Sequence, residues 1–228
     1  IIKACFLRDG APVKKWKAVT SQIQKTITKL NNLNIDIINV KGPDVDLNIK
    51  LGEKRRFLGG RGANIPSFEI FTSPDWRGTN GWIKFDQPLY RYGNLITGIE
   101  LEFKNGKVVN SKAKKNYAVL KHMIDTPNAN KVGEFSLTDK RFSKISKFMA
   151  ETLYDENIGG PYGNTHIALG ASYNDAYSGN IAKTTKAQWK KLGFNDSSVH
   201  TDIISTSKRT VTATLKNGKQ KVIYKDGK

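Results

Sequence analysis

A histidine and an aspartate lie two residues apart in the segment SSVHTDIIST, residues 197–206. Valine, threonine and isoleucine surround the pair, which is typical of a β-strand. Because side chains at positions i and i+2 of a strand point to the same face, His200 and Asp202 are expected to project together. An imidazole beside a carboxylate suits a divalent cation such as zinc, cobalt or manganese. A surface ion pair with no role in metal binding would produce the same pattern.

Four more residues with metal-binding side chains stand in apolar or glycine-rich surroundings: Glu69, Glu134, Glu156 and His166. Glutamates are rarely buried without a partner, whereas a hydrogen-bonded core histidine is an ordinary alternative for His166. Clustered carboxylates repel one another and lose hydration, and bound divalent cations would offset both costs. The set holds too many carboxylates for a structural zinc site. It suits two metals bridged by a carboxylate, an arrangement that activates water.

The remaining histidine and the single cysteine have simpler interpretations. His122 follows Lys121 on a predicted helix with no other ligand type nearby, so we interpret it as a surface residue. Cys5 lies in the apolar run ACFL and is expected in the core of a first strand. A lone cysteine forms no internal disulfide, which favours a reducing cytoplasm. The sequence contains neither a G-x-S-x-G elbow nor an H-E-x-x-H motif.

The net charge of +18 is also compatible with other functions. Lysine and arginine are spread along the whole chain without a dense arginine-rich tract, so the charge is compatible with a soluble surface or with a basic module that binds nucleic acid. A two-metal phosphoesterase is a further alternative, although such sites usually contain more histidine and aspartate. No window approaches the roughly 18 apolar residues that a membrane helix needs.

These candidates need a scaffold, and the periodicity predicts an α+β fold with a largely antiparallel sheet and several flanking helices. The first fifty residues are predicted as β-α-β-β, and LGGRGANIPS as a shaped connection. GWIKFDQPLY is expected to be one strand, and two hairpins are expected to turn at Asn105-Gly106 and Asn217-Gly218. Two helices are expected around residues 117–124 and 142–153, and THIALGASY is expected to be a strand.

Five ordered motifs together resemble the M29 family of metallo-aminopeptidases, the aminopeptidase T group. The similarity runs from about Asp44 to the end of the chain and rests on NIPSFEIFTSP, VGEFSLTD, TLYDEN, THIALGASY and NDSSVHTDII. It implies removal of N-terminal residues from peptides with a pair of divalent metals: zinc, cobalt, manganese or magnesium. It also implies a homodimer.

The resemblance assigns roles residue by residue. It implies metal ligands at Glu69, Glu134, Glu156, His166, His200 and Asp202. Tyr173 matches a family tyrosine near the metals, where its hydroxyl could stabilise an oxyanion. Either Glu134 or Glu156 is expected to bridge the metals or to carry the proton, and the choice between them stays open.

Three features depart from the family pattern. Phe68 replaces a small residue before Glu69, and a stretch containing GGPYG lies between Glu156 and His166. The third departure concerns domain organisation. The chain is predicted to divide into 1–43, an N-terminal β-α-β segment related to a missing N-terminal domain, and 44–228, the single catalytic domain. Three aromatic residues are candidates for the substrate's side-chain pocket and equally for the core: Phe68, Trp76 and Trp82.

Overall fold

The structure is a computed structural model that describes residues 1–60, 62 and 64–228. The described chain contains four α-helices: α1 (Pro12–Asn31), α2 (Tyr117–Asp125), α3 (Thr152–Asp155) and α4 (Lys186–Leu192). None of the helices in this part of the chain is long and apolar enough to cross a membrane.

The strands of the described chain are β1 (Ile35–Gly42), β2 (Val45–Lys50), β3 (Glu69–Thr72), β4 (Asn80–Lys84), β5 (Leu89–Arg91), β6 (Asn94–Ile96), β7 (Glu100–Lys104), β8 (Lys107–Lys112), β9 (Val132–Thr138), β10 (Asn164–Gly170), β11 (His200–Ser205), β12 (Thr210–Leu215) and β13 (Gln220–Lys225). They form a seven-stranded sheet in the order β13-β12-β1-β2-β4-β7-β8 and a four-stranded sheet in the order β11-β10-β9-β3. A separate hairpin joins β5 and β6. The described strand pairs are antiparallel, and the predicted α+β class is confirmed.

The core lies where the two large sheets share one cluster of buried apolar side chains. In β2, Val45, Leu47 and Ile49 are buried while the residues between them are more exposed, as the alternation predicts. Helix α1 adds Ile23 and Ile27, which lie on one face of its apolar stripe. Both predicted Asn-Gly hairpins form, between β7 and β8 and between β12 and β13.

The predicted strand at the start of the chain is wrong, since residues 1–10 form turns and bends. Local backbone hydrogen bonds, such as Cys5 N to Ile1 O at 2.9 Å, replace strand pairing there. Cys5 is nevertheless buried, and its carbonyl accepts a hydrogen bond from the Trp16 indole. Residues 35–42 form an interior strand of the seven-stranded sheet, paired with β2 and β12.

The helix predicted over residues 142–153 is also wrong, because the chain stays irregular until the short α3. The Asp155 carboxylate accepts hydrogen bonds from the backbone N–H groups of Met149 at 2.7 Å and Glu151 at 3.0 Å. Ala150 has a φ of 58°, which an α-helix does not allow. GWIKFDQPLY also differs from its prediction, because it divides into β4 and β5.

Candidate metal centre

The four-stranded sheet brings the predicted ligands to one face through its register. Ala168 of β10 is paired with Glu134 of β9 on one side and with Asp202 of β11 on the other. Directly paired residues of antiparallel strands share a face, so these three form a row across the sheet. The alanine methyl at the middle of the row is too small to fill the space between the two carboxylates.

The next rows of the same face carry the other candidate ligands. His166 lies two residues before Ala168 on β10, so the two side chains share a face. His200 pairs with Gly170 at one end of this face, and Glu69 pairs with Thr138 at the other. The sheet therefore gathers five of the six predicted ligands.

The donor atoms of these five residues approach one another closely. His166 Nε2 lies 2.9 Å from Glu134 Oε1, 3.5 Å from Glu69 Oε2 and 3.8 Å from Asp202 Oδ1. His200 Nε2 lies 3.5 Å from Asp202 Oδ1 and 3.9 Å from Glu134 Oε2. In two sets of residues the donor atoms lie within 4.8 Å of one another: Glu69, Glu134 and His166, and Glu134, His200 and Asp202. Glu134 belongs to both sets.

Neighbouring hydrogen bonds orient several of these side chains. The Ser136 hydroxyl donates to Glu69 Oε2 at 2.9 Å. His200 Nδ1 lies 2.8 Å from the carbonyl oxygen of Ala171, which can only accept, so Nδ1 carries the proton. His200 therefore turns Nε2 toward the carboxylates, where loss of the second ring proton would leave a lone pair for a metal, as in metal-binding histidines.

The sixth predicted ligand, Glu156, follows the last residue of α3 and lines the same cavity, but it belongs to neither donor set. The amide of Asn157 donates to Glu156 Oε1 at 3.2 Å. The side-chain oxygen of Asn157, Oδ1, accepts a hydrogen bond from the backbone N–H of Phe68, the residue before Glu69, at 2.7 Å. One fully buried amide thus links the segments that carry two of the carboxylates. Asn157 was not among the predicted site residues, although it stands in the motif DEN.

A cavity of about 330 Å³ opens over this face of the sheet. Its described lining carries five carboxylates, from Glu69, Glu134, Glu156, Asp175 and Asp202, and neither lysine nor arginine. Three glycines of the segment predicted as a shaped connection also line it: Gly59, Gly60 and Gly62. The prediction for that segment also covers Arg61 and Ala63, which lie outside the described residues. The contact between this segment and the site was not predicted from the sequence.

Close backbone packing explains one of these glycines. Gly59 has a φ of 144°, and a Cβ atom there would lie 2.2 Å from the carbonyl oxygen of Glu69. Only glycine allows both this conformation and this approach. The glycine therefore lets the connection lie directly against the strand that carries a candidate ligand.

Tyr173 lines the cavity, is 47% exposed, and its ring centroid lies 4.6 Å from that of His200. Phe71 packs against the same tyrosine. The aromatic residues predicted for a side-chain pocket lie elsewhere: Phe68 stacks on Trp16 in the interior, and neither Trp76 nor Trp82 is among the described lining residues. His122 is exposed on α2, as predicted.

The environment shifts the pKa of every candidate ligand. Burial and the neighbouring carboxylates raise the pKa of Glu69 to about 7 and that of Glu156 to about 9. Burial also raises the pKa of Glu134, against a hydrogen bond from His166 that lowers it. Burial opposes a raised pKa in the two histidines, but the carboxylates bonded to them raise it to about 10 in His166 and about 9 in His200.

Asp202 is the exception. Burial opposes ionisation of its carboxyl group, but the imidazole of His200, 3.5 Å from Oδ1, and that of His166 lower its pKa. Asp202 Oδ1 is buried and has no hydrogen-bond partner among the described residues. A buried carboxylate oxygen without a partner is costly unless a ligand reaches it.

The donor chemistry fits divalent cations. Three carboxylates and two imidazoles are the oxygen and nitrogen ligands that zinc, cobalt and manganese accept. The shared Glu134 and the orphaned oxygen of Asp202 fit the same interpretation. A cation would reverse the raised carboxyl pKa values, because it stabilises the ionised form.

Comparison with known proteins gives consistent results. The family model for thermophilic metalloproteases, M29, matches residues 1–228. Aminopeptidase 2 of Geobacillus stearothermophilus is 30% identical over 240 residues, which cover 100% of this chain and 57% of that protein. The structure of wild-type AmpT from Thermus thermophilus has a TM-score of 0.84 at 28% identity and covers 95% of this chain and 55% of that one. The chain thus spans little more than half the length of these relatives.

Proposed function

The chain belongs to the M29 family of thermophilic metalloproteases, and from this premise we propose that it is a metal-dependent aminopeptidase that hydrolyses the N-terminal bond of peptides. One observation carries the proposal: two sets of donor atoms, buried except for a partly exposed His200, share Glu134 on one face of a sheet. Relatives named as aminopeptidases support the choice of reaction.

The proposed metal ligands follow the two donor sets. Glu69, Glu134 and His166 would hold one divalent ion, and Glu134, His200 and Asp202 would hold a second. Zinc, cobalt, manganese and magnesium are the candidates. Bound in this way, such ions lower the pKa of a water molecule and polarise a carbonyl group. Because Glu134 is common to both sets, we assign the bridging role to it.

Glu156 is then available for proton transfer. Its carboxylate lines the cavity, lies outside both donor sets, and has a pKa raised to about 9 by burial and by neighbouring carboxylates. Once bound cations stabilise its ionised form, this carboxylate can take a proton from the attacking water and return it to the leaving amine. Asn157 holds one oxygen of this carboxylate in place.

Tyr173 is proposed to stabilise the tetrahedral intermediate. Burial and the surrounding carboxylates raise the pKa of its hydroxyl, so the group keeps the proton that it must donate to an oxyanion. Its exposed ring at the rim of the cavity gives it access to a substrate.

The charge of the cavity supports an exopeptidase. In a chain of net charge +18, the described lining of this cavity carries five carboxylates and neither lysine nor arginine. Glu156 and Asp175 lie outside both donor sets, so they remain to pair with the positive charge of a free amino terminus, which a blocked terminus lacks.

The organisation of the protein is part of the same proposal. All the proposed site residues lie within residues 44–228, so we assign the catalytic unit to that range and treat residues 1–43 as its N-terminal segment. The single buried cysteine supports a cytoplasmic location. The homodimer stays a prediction.

The test begins with metal content. After removal of bound metal and addition of zinc or cobalt, we expect about two equivalents per chain by mass spectrometry. The reconstituted chain should hydrolyse Leu-Gly-Gly and leave N-acetyl-Leu-Gly-Gly intact. Equal cleavage of both peptides, or no peptide cleavage at full metal occupancy, would contradict an aminopeptidase. Hydrolysis of bis(p-nitrophenyl) phosphate instead would favour the phosphoesterase.

A further inference from the structure

A second cavity, of about 820 Å³, lies beside the candidate metal centre and has the opposite charge. Six cationic side chains line it, and we call this region the basic groove: Lys50, Lys54, Arg77, Lys183, Lys191 and Lys216. Three acidic residues also line it, namely Asp36, Glu53 and Asp75. Asp75 is already paired with Arg77 at 2.6 Å, so the excess of positive charge remains.

The lysines of the basic groove are available for a ligand. None of their Nζ atoms forms an ion pair or a hydrogen bond with another described residue. They come from separate segments, among them the end of β2, the region before α4 and the turn between β12 and β13. The fold therefore gathers positive charge that the sequence disperses.

The basic groove and the acidic cavity lie close together, at a border that one short segment defines. Asp175 lines the acidic cavity, and Tyr177, two residues later, lines the basic groove. Two residues of chain span at most about 7 Å. Across the border, Arg56 donates from Nε to the carbonyl oxygen of Asp175 at 2.8 Å. Ser178 donates from its backbone N–H to the carbonyl oxygen of Lys54 at 2.8 Å.

Resting on the proposed function, we propose that the basic groove binds acidic residues of a peptide substrate downstream of the bond that is cut. The excess positive charge of the basic groove is complementary to acidic side chains and to the carboxyl end of a peptide whose amino end lies in the neighbouring cavity. A peptide of five extended residues spans about 17 Å, enough to cross the border between them. Peptides with acidic tails are therefore the preferred substrate class.

Matched peptides test this preference. Leu-Ala-Ala-Glu-Glu-Glu should have a kcat/KM about tenfold higher than Leu-Ala-Ala-Lys-Lys-Lys at low salt. The ratio should approach one at about 1 M salt, where charges are screened within roughly 3 Å. The double substitution Lys54→Glu with Lys183→Glu should bring the ratio to one or below. A control of equal charge change at the opposite end of β8, Lys112→Glu with Lys114→Glu, should keep it, because neither lysine lines the groove.

A binding experiment separates this proposal from the proposed function. A fluorescent, N-acetylated Glu-rich peptide should bind the chain in anisotropy titrations, and the groove substitutions should weaken binding more than the control pair does. This result would support the groove even if no peptide were hydrolysed. Hydrolysis without any effect of tail charge or of the groove substitutions would overturn it. Tighter, groove-dependent binding of an oligothymidylate would also overturn it, in favour of nucleic acid.

Discussion

The two faces of the four-stranded sheet are equally buried but carry opposite chemistry. On β9, β10 and β11, the side chains of Phe135, Ile167 and Ile203 are 0% exposed and belong to the main core. The polar face of the same strands carries Glu134 at 3% exposure and His166 at 0%. Burial stabilises the first face, whereas on the second it removes water from charged groups. The polar face therefore makes energetic sense with bound cations and costs stability without them.

Glu134→Gln should have the largest effect, because it removes the carboxylate common to both donor sets while keeping its shape. We expect peptide hydrolysis to fall by at least about 10³-fold and metal occupancy to fall below two equivalents. Wild-type turnover with full metal occupancy would remove Glu134 from the site.

Phe135→Ala alters the next residue on the strand and the opposite face. Deleting a fully buried phenylalanine should cost about 3–5 kcal/mol of unfolding free energy, or a decrease in Tm of roughly 6–20 °C. Below that temperature the variant should keep its metal stoichiometry. Calorimetry with a parallel metal assay checks both. Loss of metal at an unchanged Tm would contradict the expectation that the apolar face sets stability and the polar face sets metal binding.

Strand alternation made much of this comparison predictable. The spacing of His200 and Asp202 predicted that they share a face, and the register confirms that geometry. Sequence could not show which acids approach which histidine, because that depends on the order β11-β10-β9-β3. Asn157 was missed for the same reason, since its partner Phe68 lies 89 residues away.

Predictions of secondary structure from local sequence were wrong in two segments, where other hydrogen bonds replace those of a helix or a strand. The apolar spacing around residues 142–153 is helical, but the Asp155 carboxylate binds the N–H groups of the preceding loop. The run ACFL has β propensity, but residues 1–10 pair with no strand and instead form turns. The basic groove was equally hidden, because each of its lysines looks like an ordinary surface residue in the sequence.

The metal-free chain should lose stability as the pH rises from 6 to 9. The pKa of Glu69 rises from 4.5 to about 7 and that of Glu156 from 4.5 to about 9 on folding, so the folded state holds protons that the unfolded state releases. Both histidines act in the same direction. Asp202 acts oppositely, and its contribution is lost only in acid, as pH falls through its lowered pKa.

Thermal unfolding in the presence of a chelator should therefore show a Tm lower by roughly 3 °C or more at pH 9 than at pH 6. Saturating cobalt should reduce the difference, since metal binds better once its ligands have lost their protons. Glu156→Gln should also reduce it. Surface repulsion predicts the opposite sign, because the net charge falls toward the isoelectric point near 9.9. A Tm that rises with pH would contradict the expected contribution of the site residues to the pH dependence of stability.

Ser136→Ala should have the smallest effect. It distinguishes the two donor sets, because only one of them contains Glu69. The Ser136 hydroxyl donates to Glu69 Oε2 at 2.9 Å and lowers the pKa of that carboxyl group, so its loss makes Glu69 a poorer ligand. We expect calorimetric titration at pH 7 to show a metal affinity about tenfold weaker at one of two sites. The second site lacks Glu69 and should keep its affinity.

Thr138→Val is the matched control for this measurement. Thr138 lies on the same face of β9, two residues farther along, and its buried hydroxyl has no hydrogen-bond partner among the described residues. Removing that hydroxyl should leave both metal affinities unchanged and leave stability equal or slightly higher. If Ser136→Ala weakened both sites equally, the two donor sets would not bind separate ions. If the control had the same effect as Ser136→Ala, the hydrogen bond to Glu69 would not be what sets the affinity.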